Sequence, residues 1–394
     1  MALPFPAEFI WGTATAAHQV EGGNWNNDWW AWEHNSESRC AEPSGDACDH
    51  YHLYPSDIGL IADLGFGAYR FSIEWSRIEP ENREFSRAAL EHYRRMLGEC
   101  HERGLDPVVT FHHFTTPRWV SAGGGWTEPG TADLFARFCE RACAHLGDLI
   151  SIACTINEPN IVATFGYLTG AFPPGCRDPS ARLAANDVFV TAHRKAIEAI
   201  KGGPGDAPVG ITLAMTDYQP VDGGEDELER IRASMEDLFL EAARGDDFIG
   251  VQTYTRARIG PSGELGPEPG AETTLMGYEF YPQALEPTIR RAWRHTNGVP
   301  VVVTENGIAT GDDGRRIAYV TTALHGVRRC LDDGIDVRGY FYWSALDNFE
   351  WALGYRPTFG LVAVDRATQR RSPKPSARWL GRIASTGRLD GTGY

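Results

Sequence analysis

Short apolar segments alternate with helix-patterned segments along the whole chain, and this alternation limits the possible folds more than any other feature. Apolar or β-branched residues cluster in eight places, at 9–12, 68–73, 107–111, 151–156, 209–213, 247–252, 301–304 and 337–343. Apolar residues recur at helical spacing near 56–64, 86–103, 134–146, 183–201, 228–244, 283–296 and 317–331, and again after Lys374. Eight strands that are each followed by a helix predict a (β/α)8 barrel, a TIM barrel of the α/β class.

One domain is expected to span residues 1–394. No Pro/Ser-rich linker or shift of composition divides the chain, and we find no close internal repeat. The Gly/Pro-rich stretches at 202–208 and 260–271 are short enough to be loops of the barrel. The stretch 260–276 follows the sixth predicted strand, so we expect it on the rim where barrel active sites form.

Charge and aromatic content restrict the class of ligand. The chain has 37 Lys and Arg against 53 Asp and Glu, a net charge of −16. This field repels phosphate, so we expect no nucleic-acid partner and no membrane partner. Several of the 12 tryptophans lie beside carboxylates and amides. Flat aromatic faces next to polar side chains suit a neutral sugar.

The expected location is the cytoplasm. The first residues, Met1 to Pro6, contain neither a basic stretch nor an apolar signal segment, and no apolar run approaches the roughly 18 residues of a membrane span. The eight cysteines are scattered, without zinc-like pairs, which favours reduced thiols. Cys40 and Cys48 flank a loop and could pair, but a cytoplasmic setting argues against a disulfide.

Two of the predicted strands end in carboxylates. Glu158 follows Asn157 at the end of the fourth strand, and Glu305 precedes Asn306 at the end of the seventh. Because the carboxyl ends of barrel strands converge on one pocket, these two groups can flank a glycosidic bond. A retaining glycosidase needs two carboxyls about 5–5.5 Å apart, one ionised and one protonated. The pair therefore predicts glycoside hydrolysis.

Five motifs in order along the chain resemble those of glycoside hydrolase family 1, the retaining β-glucosidase family. They are Ala17–Gly22, Tyr69–Arg77, Thr155–Pro159, Thr304–Gly307 and Tyr342–Trp351. The resemblance runs from Phe9 to the final helix. It implies that Glu158 is the acid/base, that Glu305 is the nucleophile, and that Asn157 binds the sugar 2-hydroxyl. It implies double displacement through a covalent glycosyl-enzyme, with a small or oligomeric β-glycoside as substrate.

The same resemblance implies roles for the other residues of the pocket. Gln19 and Glu350 would bind neighbouring hydroxyls at the closed end. His113 would donate to the ring, Trp343 would stack under it, and Trp351 would offer its indole N–H. Arg70 and Tyr254 would lie beside the nucleophile and keep it ionised. In the family a cis peptide bond usually follows the residue that matches Trp343.

Three positions depart from the family pattern. Phe114 and Thr115 stand where Trp-Asp is usual, so an indole N–H and a carboxylate are absent. Gln252 replaces an asparagine, and its extra methylene must rearrange a contact near the nucleophile or the 2-hydroxyl. The chain is also shorter than most relatives, which predicts trimmed rim loops and a more open aglycone side.

Alternatives can be weighed on single residues. A 6-phospho-glycosidase would have a serine in place of Glu350 and a nearby lysine, whereas no lysine lies between Lys201 and Lys374. Plant-type thioglucosidases lack the acid carboxylate that Glu158 provides. A transglycosylase using the same intermediate, or a catalytically weak carbohydrate-binding protein on the same fold, stays open.

No metal and no organic cofactor is expected. His112-His113 and His50-Tyr51-His52 are adjacent histidines, but no carboxylate at ligand spacing accompanies them. The proposed double displacement needs only two carboxyls and water.

Overall fold

A closed barrel of eight parallel strands forms the centre of the computed structural model, which describes residues 3–36 and 38–389. The strands are β1 (Ile10–Ala14), β2 (Ala68–Ser72), β3 (Asp106–His113), β4 (Ile152–Asn157), β5 (Val209–Ala214), β6 (Phe248–Gln252), β7 (Val301–Asn306) and β8 (Val337–Trp343). Each strand pairs with the next along the chain, and β8 pairs with β1 to close the ring. The predicted TIM barrel is confirmed.

A principal helix follows each strand. These helices are α1 (His50–Asp63), α2 (Arg87–Glu102), α3 (Thr131–Leu146), α4 (Pro179–Lys201), α5 (Glu225–Arg232), α6 (Leu285–His295), α7 (Asp313–Asp332) and α8 (Pro375–Thr386). After α5 the chain stays helical through a π-helical turn, Ala233–Asp237, and the segment Leu238–Ala242. A second π-helical turn, Val162–Leu168, follows β4 and the short helix Pro159–Ile161. The remaining short helical segments are Ala17–Val20, Asp28–Glu33, Trp75–Ile78, Arg118–Ala122, Gly125–Thr127, Gly147–Leu149, Pro282–Ala284 and Trp351–Leu353.

Capping residues define several helix ends. The Ser86 side chain accepts from the Ala89 amide at the start of α2, and the Asp178 side chain accepts from the Ser180 amide at the start of α4. Each cap satisfies an amide that has no partner within its helix. Gly387 ends α8 with a φ of 62°, a left-handed conformation that glycine adopts without a Cβ penalty.

Smaller sheets lie outside the barrel. Leu3–Pro4 pairs with Arg388–Leu389, and Val362–Asp365 pairs with Arg370–Pro373. A three-stranded sheet joins Asp217–Pro220, Arg256–Gly260 and Gly263–Leu265, so a hairpin strand begins inside the stretch predicted as a loop at 260–271. Among the described residues, no helix is both long and apolar enough to cross a membrane.

The barrel interior is apolar toward the amino ends of the strands and charged toward their carboxyl ends. A cluster of inward side chains fills the lower part, namely Ala68, Val108, Ile152, Cys154, Phe248, Val302 and Phe341. Ala68 and Arg70 are two residues apart on β2, so their side chains share a face. Arg70 consequently lies above the apolar cluster, toward the carboxyl ends of the strands, where the barrel opens.

Candidate active site

A cavity of about 750 Å³ opens at the carboxyl ends of the strands. Eight of the residues singled out from the sequence line it, namely His113, Glu158, Gln252, Tyr254, Glu305, Trp343, Glu350 and Trp351. The other three are Arg70, Asn157 and Gln19, and each hydrogen-bonds to one of the eight. All eleven predicted site residues therefore belong to one connected set.

The two carboxylates reach the cavity from different backbone conformations, one within a strand and one in a turn. Glu305 is the penultimate residue of β7 and lies opposite Gln252 of β6. Glu158 comes directly after β4, and its φ of 47° is a left-handed conformation that few residues other than glycine adopt. Pro159 then starts a short helix. The turn at Glu158 thus redirects its side chain into the cavity at the strand end.

Glu305 is held by two strong donors. Arg70 Nη1 donates to Oε1 at 2.6 Å, and the Tyr254 hydroxyl donates to Oε2 at 2.6 Å. Burial raises the pKa of Glu305, while the Arg70 charge and both hydrogen bonds oppose that rise. The two donors fix both carboxylate oxygens and offset part of the rise in pKa that burial causes, and they lie beside Glu305 where the resemblance placed them.

Glu158 lies in the same cavity without such support. Burial raises its pKa well above the usual range, and the negative charges of Glu305 and Glu350 raise it further. Arg70 opposes them only through its charge, because its guanidinium is bonded to Glu305 and Asn157. These surroundings favour a protonated Glu158, so the two carboxyls differ in the way that acid and nucleophile must differ.

Asn157 joins the nucleophile side to the rest of the pocket. Its Oδ1 accepts from Arg70 Nη2 at 2.5 Å, from Thr212 Oγ1 at 3.0 Å and from Gln252 Nε2 at 2.8 Å. Its Nδ2 lies 3.3 Å from His113 Nε2. Because Nδ2 can only donate, His113 Nε2 accepts and the ring proton is on Nδ1.

His113 is consequently a free donor. Burial lowers its pKa well below the usual range, with the Arg70 charge acting in the same direction, so the ring is neutral. Its buried Nδ1 has no hydrogen-bond partner among the described residues. An unpaired buried N–H is costly, which makes this atom suited to a ligand oxygen.

Gln19 and Glu350 form the other polar end. Gln19 Nε2 donates to the Phe349 carbonyl at 2.8 Å and to Glu350 Oε2 at 3.4 Å, and Gln19 Oε1 is buried without a partner among the described residues. Burial and then the Glu305 charge raise the pKa of Glu350 to about 8. Together they offer both donors and acceptors to neighbouring hydroxyls.

Aromatic rings form the walls between these polar groups. The His113 ring stacks with Trp343 at 5.7 Å and with Trp351 at 6.2 Å between centroids. The peptide bond from Trp343 to Ser344 is cis, as the resemblance implied. The pocket therefore combines flat apolar faces with hydrogen-bonding groups, a combination that suits a sugar ring.

Each departure from the family pattern has a defined place. Phe114 packs against Trp351 at 4.9 Å, and the Thr115 hydroxyl donates to both oxygens of Glu74, at 3.1 and 2.9 Å. The longer Gln252 reaches Asn157 Oδ1, while its own Oε1 is buried without a partner among the described residues. The altered contact expected for Gln252 is thus with Asn157.

Sequence reasoning missed several residues of the site. Thr212, which donates to Asn157, lies in β5, and only its position near a strand end could have drawn attention to it. Apolar residues from the rim also line the cavity, among them Phe172, Met215 and Met235. Met276 lines it too, so the stretch 260–276 does reach the rim. Nothing in the local sequence distinguishes these apolar residues from core.

The described part of the chain has neither a disulfide nor a cluster of metal-ligating side chains. All eight cysteines are free thiols. Within residues 3–36 and 38–389, no group of three or more His, Cys, Asp or Glu side chains is arranged to hold a metal ion.

Comparison with known proteins gives consistent matches along the chain. The family model described as glycosyl hydrolase family 1 matches residues 1–248 and 251–388. Beta-glucosidase A of Acetivibrio thermocellus is 31% identical over 97% of this chain and 98% of its own length. The crystal structure of the β-glycosidase BGL167 superposes with a TM-score of 0.92 at 51% identity, covering 99% of both chains. The β-glucosidase of Thermotoga maritima in complex with deoxynojirimycin gives a TM-score of 0.92 at 30% identity, covering 98% of this chain and 100% of that one.

Proposed function

The chain belongs to glycosyl hydrolase family 1 and is a glycoside hydrolase, and from that premise we propose that it is a retaining, exo-acting β-glycosidase whose preferred substrates are non-phosphorylated β-glucosides. The observation that carries the proposal is the contrast between the two carboxyls of one cavity. Arg70 and Tyr254 hold Glu305, whereas Glu158 is buried beside like charges. Relatives named β-glucosidase support glucose as the sugar.

The first step forms a covalent intermediate. Glu158 gives its proton to the departing glycosidic oxygen while a Glu305 oxygen attacks the anomeric carbon from the opposite face. The C–O bond to the aglycone breaks, and a glycosyl ester of Glu305 forms. Arg70 and Tyr254 fix the attacking carboxylate, so its orientation costs little at the moment of reaction.

The second step releases the sugar. Glu158, now ionised, takes a proton from water, and the water oxygen attacks the anomeric carbon. The ester bond to Glu305 breaks and the carboxylate is restored. Two inversions leave the configuration retained. Only side-chain carboxyls and water take part.

The polar side chains of the cavity would bind the terminal sugar. Gln19 and Glu350 would bind neighbouring hydroxyls, Asn157 Nδ2 would donate to the 2-hydroxyl, and His113 Nδ1 would donate to another ring hydroxyl. Trp343 would stack on the apolar face and Trp351 would donate its indole N–H. A closed polar end next to an open side supports exo action on the last sugar. The Glu350 carboxyl would repel a 6-phosphate once ionised.

A mechanism-based label tests the proposal. Incubation with 2-deoxy-2-fluoro-β-glucosyl fluoride should add one fluoroglucosyl unit to the protein, and peptide mapping should place it on Glu305. Glu158→Gln should still be labelled, because fluoride leaves without a proton, whereas Glu305→Gln should not. An unlabelled wild-type protein, or a label on another residue, would contradict the assignment.

Product analysis separates hydrolysis from transfer. With added alcohol or sugar acceptors, a hydrolase should still release mainly free glucose with retained configuration. Predominant transfer to the acceptor would identify a transglycosylase using the same intermediate. Sugar binding without turnover would instead identify a carbohydrate-binding protein.

A further inference from the structure

The part of the cavity beyond the two carboxyls is lined mostly by apolar side chains, and from it we infer the chemical class of the aglycone. Resting on the proposed function, we propose that the site accepts an apolar alkyl or aryl aglycone in preference to a second sugar. Exposure distinguishes the two ends of the cavity. Phe165 and Tyr278 are 37% and 40% exposed, whereas Glu158 and Glu305 are 8% and 4% exposed. We call the exposed end the outer cavity.

A row of aromatic rings forms one wall of the outer cavity. It starts at Trp351, which contacts Phe114 at 4.9 Å between centroids. Phe114 lies 5.9 Å from Phe172, and Phe172 lies 5.1 Å from Phe165. An apolar surface thus runs continuously from the sugar-binding end to the mouth. Phe114, one of the departures from the family pattern, is a link in this row.

Methionines contribute to the rest of the lining. The chain has five methionines, and Met215, Met235 and Met276 all line this cavity. Met235 lies in the π-helical turn after α5, where its sulfur accepts from Thr164 of the other π-helical turn at 3.3 Å. Methionine is flexible and polarisable, so it adapts to apolar groups of different shape. Such a wall suits varied alkyl and aryl groups.

The arginines that line the outer cavity are already engaged by the protein, whereas Glu264 also lines it and has no hydrogen-bond or ion-pair partner among the described residues. Arg182 donates to the Ser234 carbonyl, and Arg230 donates to the Glu227 carboxylate. Arg256 donates to the Glu279 carboxylate at 2.8 and 2.9 Å and to Gln219 Oε1 at 2.9 Å. A second sugar would need several hydrogen-bonding partners to replace its lost water. Glu264 is a single acceptor, and the described lining of the outer cavity has no amide and carboxylate side by side like Gln19 and Glu350, whereas an apolar aglycone requires no such partners.

Alkyl β-glucosides test this proposal without the bias of leaving-group reactivity. Methyl, butyl, hexyl and octyl β-glucosides have alcohol leaving groups of similar basicity and differ mainly in apolar area. Burying each added methylene should raise kcat/KM about two- to fourfold until the cavity is filled. Concentrations stay below micelle formation. Octyl glucoside should also exceed cellobiose. A flat series, or cellobiose as the better substrate, would overturn the proposal.

Paired variants at one position localise the effect. Met235→Gln keeps length and flexibility but exchanges sulfur for an amide, so it should lower the octyl-to-methyl ratio of kcat/KM about fivefold or more. Met235→Leu stays apolar and should largely keep the ratio. If both variants change the ratio equally, the effect is one of structure and the assignment to this wall fails.

The glucosyl fluoride label separates this proposal from the one on which it rests. The reagent has no aglycone, so labelling of Glu305 tests the proposed function alone. Labelling combined with a flat alkyl series would reject only the apolar aglycone. No labelling would reject the proposed function itself.

Discussion

At the scale of single residues, two identical side chains acquire different chemistry from their neighbours. Glu305 receives hydrogen bonds from a guanidinium and a phenol, and Glu158 lies in the same buried cavity beside negative charges. A carboxyl ionises readily where donors stabilise its charge and holds its proton where they do not. The proposed assignment of nucleophile and acid rests on this difference in surroundings.

The pH profile should report the proton on Glu158. Its raised pKa keeps it protonated above the usual carboxyl range, so kcat/KM should be retained there and then fall as pH rises through that raised pKa. Glutamine cannot ionise, so Glu158→Gln should lose this basic limb. The measurement is kcat/KM against pH for both proteins with octyl β-glucoside, whose departing alcohol needs the proton. An unchanged basic limb would assign it to another group.

The same variant should separate substrates by leaving group. Cleavage of an alkyl glucoside needs the acid, so Glu158→Gln should lower kcat/KM for octyl glucoside by about 10²–10⁴. Formation of the glycosyl-enzyme from 2,4-dinitrophenyl β-glucoside, whose leaving group needs no proton, should change far less when followed as the burst of released phenolate. Equal loss in both would show that Glu158 is not the acid.

Gln252 should act through Asn157. Gln252→Asn withdraws the amide that now donates to Asn157 Oδ1, which should lower kcat/KM for a β-glucoside about two- to tenfold, the usual loss for one buried hydrogen bond. If Asn157 binds the 2-hydroxyl, the matched 2-deoxyglucoside should lose less. Gln252→Leu is the control that also removes the unpartnered Oε1. Equal losses on both sugars would contradict a role through Asn157.

At the scale of elements, hydrophobic periodicity predicted the buried strands and helices of the barrel but not the small elements on its rim. All eight barrel strands and their principal helices were predictable, because buried strands read as apolar runs and the helices carry one apolar face. The strand Asp217–Pro220 and the hairpin that begins at Arg256 were not, since they are short and half exposed. The backbone turn at Glu158 and the position of Met235 in the cavity lining depend on tertiary contacts, which leave no pattern in the local sequence.

The packing of β3 against α3 and α4 should make the fold sensitive to acid. His112 of β3 lies 4.9 Å from Trp126 and 6.1 Å from both Phe135 of α3 and Phe189 of α4, and burial lowers its pKa to about 3. An unfolded histidine titrates near 6.5, so below that pH the unfolded state binds a proton that the folded state refuses. This histidine therefore costs no stability above pH 6.5, and the free energy of unfolding falls as pH drops from 6.5 toward 3.

His112→Phe should remove that part of the acid sensitivity. The wild-type free energy of unfolding should decline relative to the variant by about 1 kcal/mol per pH unit between pH 6 and 4. Urea unfolding of both proteins at several pH values measures the difference. Parallel curves for the two proteins would mean that His112 is protonated in the folded state.

At the scale of the whole molecule, closure of the barrel connects the two ends of the chain. Strand β1 pairs with both β2 and β8, and Leu3–Pro4 pairs with Arg388–Leu389. The residues of the proposed site come from strands around the ring, with Arg70 on β2 and Glu305 on β7. We propose that the chain is one domain, since the site exists only when the ring is closed.

A single substitution at the closing strand tests this unity. Gly12 of β1 lies between Phe341 of β8 and Ala68 of β2, and an added Cβ would come within 2.3 Å of the Phe341 ring and 2.9 Å of the Ala68 carbonyl oxygen. Because the second of these neighbours is backbone, it cannot move aside cheaply. Gly12→Val should therefore lower the free energy of unfolding by about 3 kcal/mol or more.

Far-UV circular dichroism, tryptophan fluorescence and Glu305 labelling should all follow one transition, which Gly12→Val moves as a unit to lower temperature. Gly98→Ala is the matched control, because Gly98 lies in α2 with open space around its added Cβ and should gain about 0.5–1 kcal/mol. If the signals separated, with labelling lost in one transition and helix in another, the chain would contain more than one domain. A single shifted transition would tie the pairing of β1 with β8 directly to the integrity of the proposed catalytic pair.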